Sequence, residues 1–358
     1  MRSSWLVLAA ALVPVLAGGA GDDELEYLYL DEEAPYEENL SVDYCTEMGD
    51  PIAGNSGAFY FNIPLFGLGG PMKLAFVLYY RSDMSTPSPR VPNDFPSLER
   101  PNLTRFSWTP RCQAVYTGPD SEFLTVWLGD GNTVCFRRGE SGNSWGLFTG
   151  DPPSAGKAQR EKFQLKVIGT RIFMLSPLAR RIYVFQNQAP GLGRALFILD
   201  RNGNAIRFTY ADPEHNNPSS ISDGLGRTLY FTYVQGDEDA EAVLTLVTDG
   251  EDRSVHFSYE NAFDNGGFPS LREVRNANSE TTRLSYQPAE YKGTTPSTFY
   301  LDNVSTVTKP RGNVPYTQHY GVRAIRGSRA VRVVSQFHAD GHRRYLMYDE
   351  ESFGVLDQ

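Results

Sequence analysis

Two imidazoles stand four residues apart in His338-Ala-Asp-Gly-His342, a spacing that on a helix would turn both toward one metal ion. Here Asp340-Gly341 is itself a turn signal, so the two rings are expected on opposite arms of a hairpin and no metal site is assigned. His215, His256 and His319 are scattered. Carboxylates come next. The chain holds 43 Asp and Glu, enough for a pair suited to glycoside cleavage to exist in space without showing in sequence. Asp200, Asp223 and Asp249, however, occupy equivalent turn positions, whereas catalysis needs one special site. Calcium wants six or more oxygens and each turn offers one or two carboxylates, so capping of the turn is the reading adopted. No G-x-S-x-G, H-E-x-x-H, G-x-x-x-x-G-K-[ST] or G-x-G-x-x-G occurs. The expectation is a non-enzymatic protein with no catalytic residue, metal or cofactor.

Sulfur chemistry depends on the compartment. The opening MRSSWLVLAAALVPVLAGGA has Arg2, an apolar run from Trp5 to Ala17 and small residues Gly18 and Ala20 before Gly21, the pattern of a signal peptide over 1–20. A membrane anchor is the alternative, but the run is shorter than the roughly 20 residues of a spanning helix and contains Pro14. Nothing later is apolar enough to span a bilayer, so a secreted or envelope location, extracellular or periplasmic, is expected. Export permits one disulfide among Cys45, Cys112 and Cys135. If 111–138 folds as a three-stranded meander, Cys112 and Cys135 lie two strand spacings apart, roughly 9–10 Å, beyond disulfide reach. A bridge from Cys45 to either stays open, and the sequence does not choose. Asn39-Leu-Ser41, Asn102-Leu-Thr104 and Asn303-Val-Ser305 fit the glycosylation triplet.

The elements that must position these residues are strands. Of 358 residues, 40% are hydrophobic and 21% charged, ordinary globular usage that excludes collagen-like, wholly disordered and multi-span membrane classes. Gly21 to Pro71 holds twelve acids and no Lys or Arg, leaving 32 basic against 31 acidic residues from Met72 onward. The arm is acidic and the body near neutral in total, so nucleic acid is not an expected partner. Residues 21–45 read as an acidic flexible arm. Short apolar runs follow at Ala58–Ile63 and Leu74–Tyr80, the second apolar on both faces and hence buried. A Pro-rich connection covers 82–104, and strands are expected at Gln113–Tyr116, Glu122–Leu128 and Asn132–Arg137, the last two joined by Asp130-Gly131-Asn132. Helical spacing is almost never kept over three turns, so the chain is expected to be all-β, with a β-rich domain over 46–160 and repeats over 161–358.

Those repeats are the strongest signal in the sequence. DRNGNAIRFTY (Asp200–Tyr210), SDGLGRTLYFTY (Ser222–Tyr233), TDGEDRSVHFSY (Thr248–Tyr259) and RNANSETTRLSY (Arg275–Tyr286) each pass from a turn into an alternating strand closed by Tyr. Weaker copies are Thr308–Tyr320 and Phe337–Tyr348. Asp200, Gly203, Tyr210, Asp223, Gly224, Gly226, Tyr233, Asp249, Gly250, Tyr259 and Tyr286 are the structural residues of the motif. Asp-Gly and Asn-Gly set the turn, and the terminal Tyr is expected to cover apolar area with its hydroxyl in water. One hairpin is barely stable alone, so neighbours must stack into one curved antiparallel sheet.

These blocks resemble the RHS, or YD, repeat. The segment GDPIAGNSGAFYFNIPLFGLGGPMKLAFVLYYRS is similar to the domain that commonly precedes such repeats. Together the matches cover roughly 46–350. The resemblance implies a spiral β-shell that encloses a toxin in bacterial relatives and serves adhesion in animal ones. With about six repeats and no closing motif or cargo domain, a shell segment is expected here rather than a closed cocoon. Two functions are carried forward. One is an exported, non-catalytic scaffold that encloses or presents another polypeptide, in a toxin-delivery or cell-surface assembly. The other is an adhesion or carbohydrate-binding surface built on exposed Tyr and Trp.

Overall fold

The computed structural model describes residue 52 and residues 58–82, 106–117, 121–130, 133–139, 144–147, 162–187, 192–211, 217–234, 243–261, 269–292, 298–325, 328–348 and 355–357. The signal segment, the acidic arm with Cys45, and the triplets at Asn39 and Asn102 lie outside them. All the regular structure among the described residues is strand, and the pairs are antiparallel. The all-β expectation holds.

The strands in chain order begin with β1 (Tyr60–Leu68), β2 (Leu74–Arg81), β3 (Phe106–Thr109), β4 (Cys112–Thr117), β5 (Phe123–Leu128), β6 (Thr133–Arg138) and β7 (Trp145–Leu147). Then come β8 (Gln164–Ile168), β9 (Arg171–Ser176), β10 (Arg181–Gln186), β11 (Leu192–Asp200), β12 (Ala205–Thr209), β13 (Ser220–Asp223), β14 (Thr228–Val234) and β15 (Val243–Thr248). The last are β16 (Ser254–Asn261), β17 (Pro269–Arg275), β18 (Thr281–Lys292), β19 (Thr298–Thr308), β20 (Tyr316–Ile325), β21 (Ser328–His338), β22 (Arg343–Tyr348) and β23 (Val355–Asp357). The first three form a separate sheet in the order β1-β2-β3.

The described residues fall into two compact units, one drawn from 67–75 and 109–229, the other from 43–66, 76–108 and 230–358. In the first, β4 to β7 form an antiparallel meander, and β8 to β13 pair in succession. The two runs join where Leu192, Gly193 and Arg194 of β11 face Val115, Ala114 and Gln113 of β4. A Cβ on Gly193 would stand 2.5 Å from the Gln186 carbonyl oxygen, which is why this strand contact needs glycine. Ile168, Phe173, Leu175, Ile182, Val184 and Leu199 form this unit's core cluster.

In the second unit the alternation of period two sorts the side chains onto two faces. Phe231, Val247, Val255, Phe257 and Val274 are buried on one, while Thr232 and Ser258 are exposed on the other. The buried face meets the chain's own β2 and β3. Trp108 stacks on Phe231 with ring centroids 4.8 Å apart, and Phe76 lies 5.9 Å from Phe231 and 6.0 Å from Phe257. Tyr80 accepts the Val304 N–H at 2.9 Å through its hydroxyl oxygen. Leu74, Phe76, Leu78 and Tyr80 are 0% exposed and the residues between them half-buried, so the two-faced burial expected of this strand is complete on one face only.

Candidate functional site: hairpin turns and their tyrosine locks

Six turns share one backbone plan. The N–H of the first residue donates to the carbonyl four residues on: Asp200 to Asn204, Asp223 to Arg227, Asp249 to Arg253, Asn276 to Glu280, Lys309 to Asn313 and His338 to His342. The fourth residue takes a left-handed conformation in each, at Gly203, Gly226, Asp252, Ser279, Gly312 and Gly341, where glycine avoids the Cβ clash. Gly250 also has a φ of 79°. Gly224 has no left-handed φ and no atom within 4 Å of an added Cβ, so its place in the motif is not a conformational necessity.

The leading side chain caps its own turn. Asp200 Oδ1 accepts the N–H groups of Asn202 and Asn204 at 2.8 and 2.9 Å, Asp223 Oδ1 those of Leu225 and Arg227 at 3.0 and 3.1 Å. Asn276 does the same with an amide oxygen, for Asn278 and Glu280. Burial would raise the Asp223 carboxyl, but hydrogen bonds from the Arg227 side chain and from the Arg227 and Leu225 N–H groups, with the Arg227 charge, outweigh it and hold it below the usual carboxylate range. The balance at Asp249 is the same, with Glu251 N–H and Arg253 overcoming burial. A carboxyl tuned downward is a poor general acid at neutral pH, and these oxygens are engaged by turn amides.

Past the turn each hairpin closes only a short ladder. The pairs β11–β12, β15–β16 and β17–β18 share three residue pairs each before their strands part. There the first strand bulges against the preceding hairpin, with register shifts at Phe185↔Ala195, Tyr233↔Leu244, Tyr259↔Leu271, Tyr286↔Val304 and Tyr320↔Val333. Each parting leaves main-chain carbonyls without a strand partner on the hairpin's own side, and a buried carbonyl must be satisfied. The closing tyrosine supplies the donor. Tyr210 Oη donates to the Ala195 carbonyl at 2.9 Å, Tyr259 to Leu244 at 2.7 Å, Tyr286 to Leu271 at 2.5 Å and Tyr320 to Val304 at 2.7 Å. The hydroxyl expected in water is therefore an internal bond. Burial, with the neighbouring Tyr233 phenol adding to it, pushes the Tyr259 phenol well above its ordinary pKa, which keeps it a protonated donor.

Phe185 has the same place beside a bulge but carries no hydroxyl. Its hairpin partner β9 stays paired over six residues, and the Thr170 carbonyl is met by the Asn187 N–H at 2.8 Å. The tyrosine occurs where the ladder stops short.

Two residues outside the predicted set tie the turns to the leading sheet. Arg227 Nη2 donates to the Gly69 carbonyl at 2.5 Å while pairing with Asp223. Arg253, paired with Asp249, lies 5.9 Å from the Phe66 ring centroid. Arginine as fifth turn residue occurs in these two copies alone, the others having Asn204, Glu280, Asn313 and His342. That Asp-x-x-x-Arg spacing was the available signal.

Cys112 faces Leu128 on β4–β5 and Cys135 faces Thr125 on β5–β6, so the two are not bridged to each other, and a bridge to Cys45 falls outside the described residues. Burial pushes both thiols above their ordinary pKa, which lowers the thiolate fraction at neutral pH. His338 and His342 face each other across their turn, as the hairpin reading required. Asn303 is 0% exposed, so its triplet is closed to a glycan in the folded chain.

No family model matches the sequence, and no curated protein matches it. Among solved structures the chain is similar to a porin-like protein from Bacteroides uniformis, at 13% identity and a TM-score of 0.29, over 69% of this chain and 91% of that one.

Proposed function

We propose that the protein is an exported, non-catalytic repeat scaffold of the RHS type that presents another polypeptide on a frame whose aromatic face its own chain fills. The observation that carries this reading is the packing of Phe76 and Trp108 onto Phe231 and Phe257. A shell awaiting cargo would leave that apolar face uncovered, and exposed apolar patches of such size drive association. The equivalent turn carboxylates, each spent on a cap, support a structural rather than a catalytic use. The glycan-binding alternative draws less support, since Tyr210, Tyr259, Tyr286 and Tyr320 are committed to internal bonds.

The test is sedimentation and limited proteolysis of residues 21–358 secreted alone into an oxidising compartment. A monomer resistant from Ala58 to Tyr348 is the expected result. Aggregation, or trimming that proceeds inward through the C-terminal hairpins, would show a frame that needs a partner to be complete.

A further inference from the structure

The last two hairpin turns carry their charge differently from those before them. In the earlier hairpins arginines are neutralised on the spot, Arg227 by Asp223, Arg253 by Asp249 and Arg283 by Glu273. The turns Lys309–Asn313 and His338–His342 lie side by side, with the Ala339 N–H donating to the Pro315 carbonyl at 3.0 Å. Lys309 and Arg311 are exposed on the first turn, and Arg343 is exposed just past the second. No carboxylate of the described residues pairs with any of the three. Asp340, the sole acid between Asn303 and Tyr348, is taken up by His342, through its N–H at 3.1 Å and its ring nitrogen at 3.9 Å.

Arg343 is also held in place. Its Cζ stands 4.0 Å from the Phe337 ring centroid and its Nη1 donates to Tyr345 Oη at 3.0 Å. A guanidinium fixed in this way loses little freedom on taking a carboxylate.

The complementary charge is in the same chain. Asp22 to Asp50 holds twelve Asp and Glu and no Lys or Arg. That stretch ends two residues before Ile52, which bridges Phe59. The Phe59 N–H donates to Ser82 Oγ at 3.0 Å, and its ring lies 6.0 Å from that of Tyr80, whose hydroxyl takes the Val304 N–H. Val304 is on β19, the strand that runs into Lys309. The root of the acidic stretch is therefore fixed against the strand that feeds the basic turn. From Val304 to Lys309 is roughly 17 Å of strand, whereas the chain from Asp22 to Asp50 can span up to about 95 Å. Surface ion pairs are individually weak, but a tether of this kind gives an effective concentration of roughly millimolar, which a free anion would have to match.

We propose that the acidic segment Asp22–Asp50 docks within its own chain on the basic corner formed by Lys309, Arg311 and Arg343. Its carboxylates take the two guanidinium forks and the Lys309 ammonium. The last two turns thus gain from a distant segment the neutralisation that Asp223 and Asp249 supply inside their own turns. The docking stands apart from the scaffold reading and does not depend on it.

The experiment is carbodiimide cross-linking of residues 21–358, which joins a carboxylate to a lysine amine with loss of water, read by peptide mass spectrometry. Amide links from Lys309 to acids of 22–50 are expected, with few from Lys162, which is also exposed. The Lys309 links should fall at least about fivefold in about 1 M NaCl, where charge is screened beyond about 3 Å, and by a similar factor when Arg311→Gln and Arg343→Gln are combined. Should that variant fail to fold, the salt dependence of the parent decides the matter. An equal mixture of unlabelled and 15N-labelled chains fixes the source of the segment. Links within one isotope are expected, and mixed links overturn the proposal in favour of an interface between copies. No link at Lys309, links spread evenly over Lys309 and Lys162, or a yield indifferent to salt overturns it outright.

Discussion

Tyrosine at the end of a repeat strand does two jobs, and only one is visible in sequence. Its recurrence at Tyr210, Tyr233, Tyr259 and Tyr286 marks the strand ends. For Tyr210, Tyr259 and Tyr286 the acceptor is a main-chain carbonyl fifteen residues earlier, and for Tyr320 sixteen, beside a bulge that no side-chain pattern announces, so the hydroxyl's role waits on the register. Tyr259→Phe keeps the ring and strands the Leu244 carbonyl. It should cost about 1–3 kcal/mol, the penalty for a buried acceptor left unmade, as read by urea denaturation. Tyr230→Phe is the matched control, since Tyr230 is 50% exposed, and should stay within about 0.5 kcal/mol of the parent. Equal losses at both positions would mean that the lock contributes nothing.

The turn-plus-strand element was legible as a repeat, but the Asp-Gly pairs read as setting the turn at Asp223 and Asp249 do not supply its fourth residue, which is left-handed at Gly226 and Asp252. It was less so at Lys309–Asn313 and His338–His342, which keep the backbone plan while their first residue is not an acid. Acid titration should separate the copies. Asp223 and Asp249 have folded pKa values held below their unfolded ones, so their contribution is complete above the unfolded value near about 4 and is lost as pH falls through the folded value. Asn276 caps without a charge. Stability should therefore drop below about pH 4, and Asp223→Asn with Asp249→Asn should flatten that drop while lowering stability at pH 7; an unchanged pH profile in the double variant would remove the caps from the account. Ser279 has a φ of 62° in the fourth position of its turn. Ser279→Gly should raise stability by about 1 kcal/mol, measured as a higher Tm.

At the scale of the molecule the sequence separates a leading β segment from a run of repeats, and it says nothing of what lies against the repeats' inner face. That contact joins Phe76 and Trp108 to Phe231 and Phe257, side chains more than a hundred residues apart, and periodicity identifies a buried face without naming its partner. The same limit hid Arg227 and Arg253, whose contacts at Gly69 and Phe66 are far away in the chain. The burial of Gln318, which is 0% exposed, was hidden for another reason: a single Gln in an alternating strand looks like part of a solvated face. Phe76→Ala should cost about 3–5 kcal/mol by opening a cavity in the aromatic cluster, seen as a lower urea midpoint at constant m-value.

The central claim is that the chain fills its own inner face, and hydrogen exchange of residues 21–358 without any partner tests it most directly. The account predicts that the amides of Leu74–Arg81 are protected to the same degree as those of Thr228–Val234 and Ser254–Asn261, opening with them as one cooperative unit. Rapid exchange along Leu74–Arg81 while the hairpins stay protected would contradict it, and would mean that this face stands open for another chain to occupy.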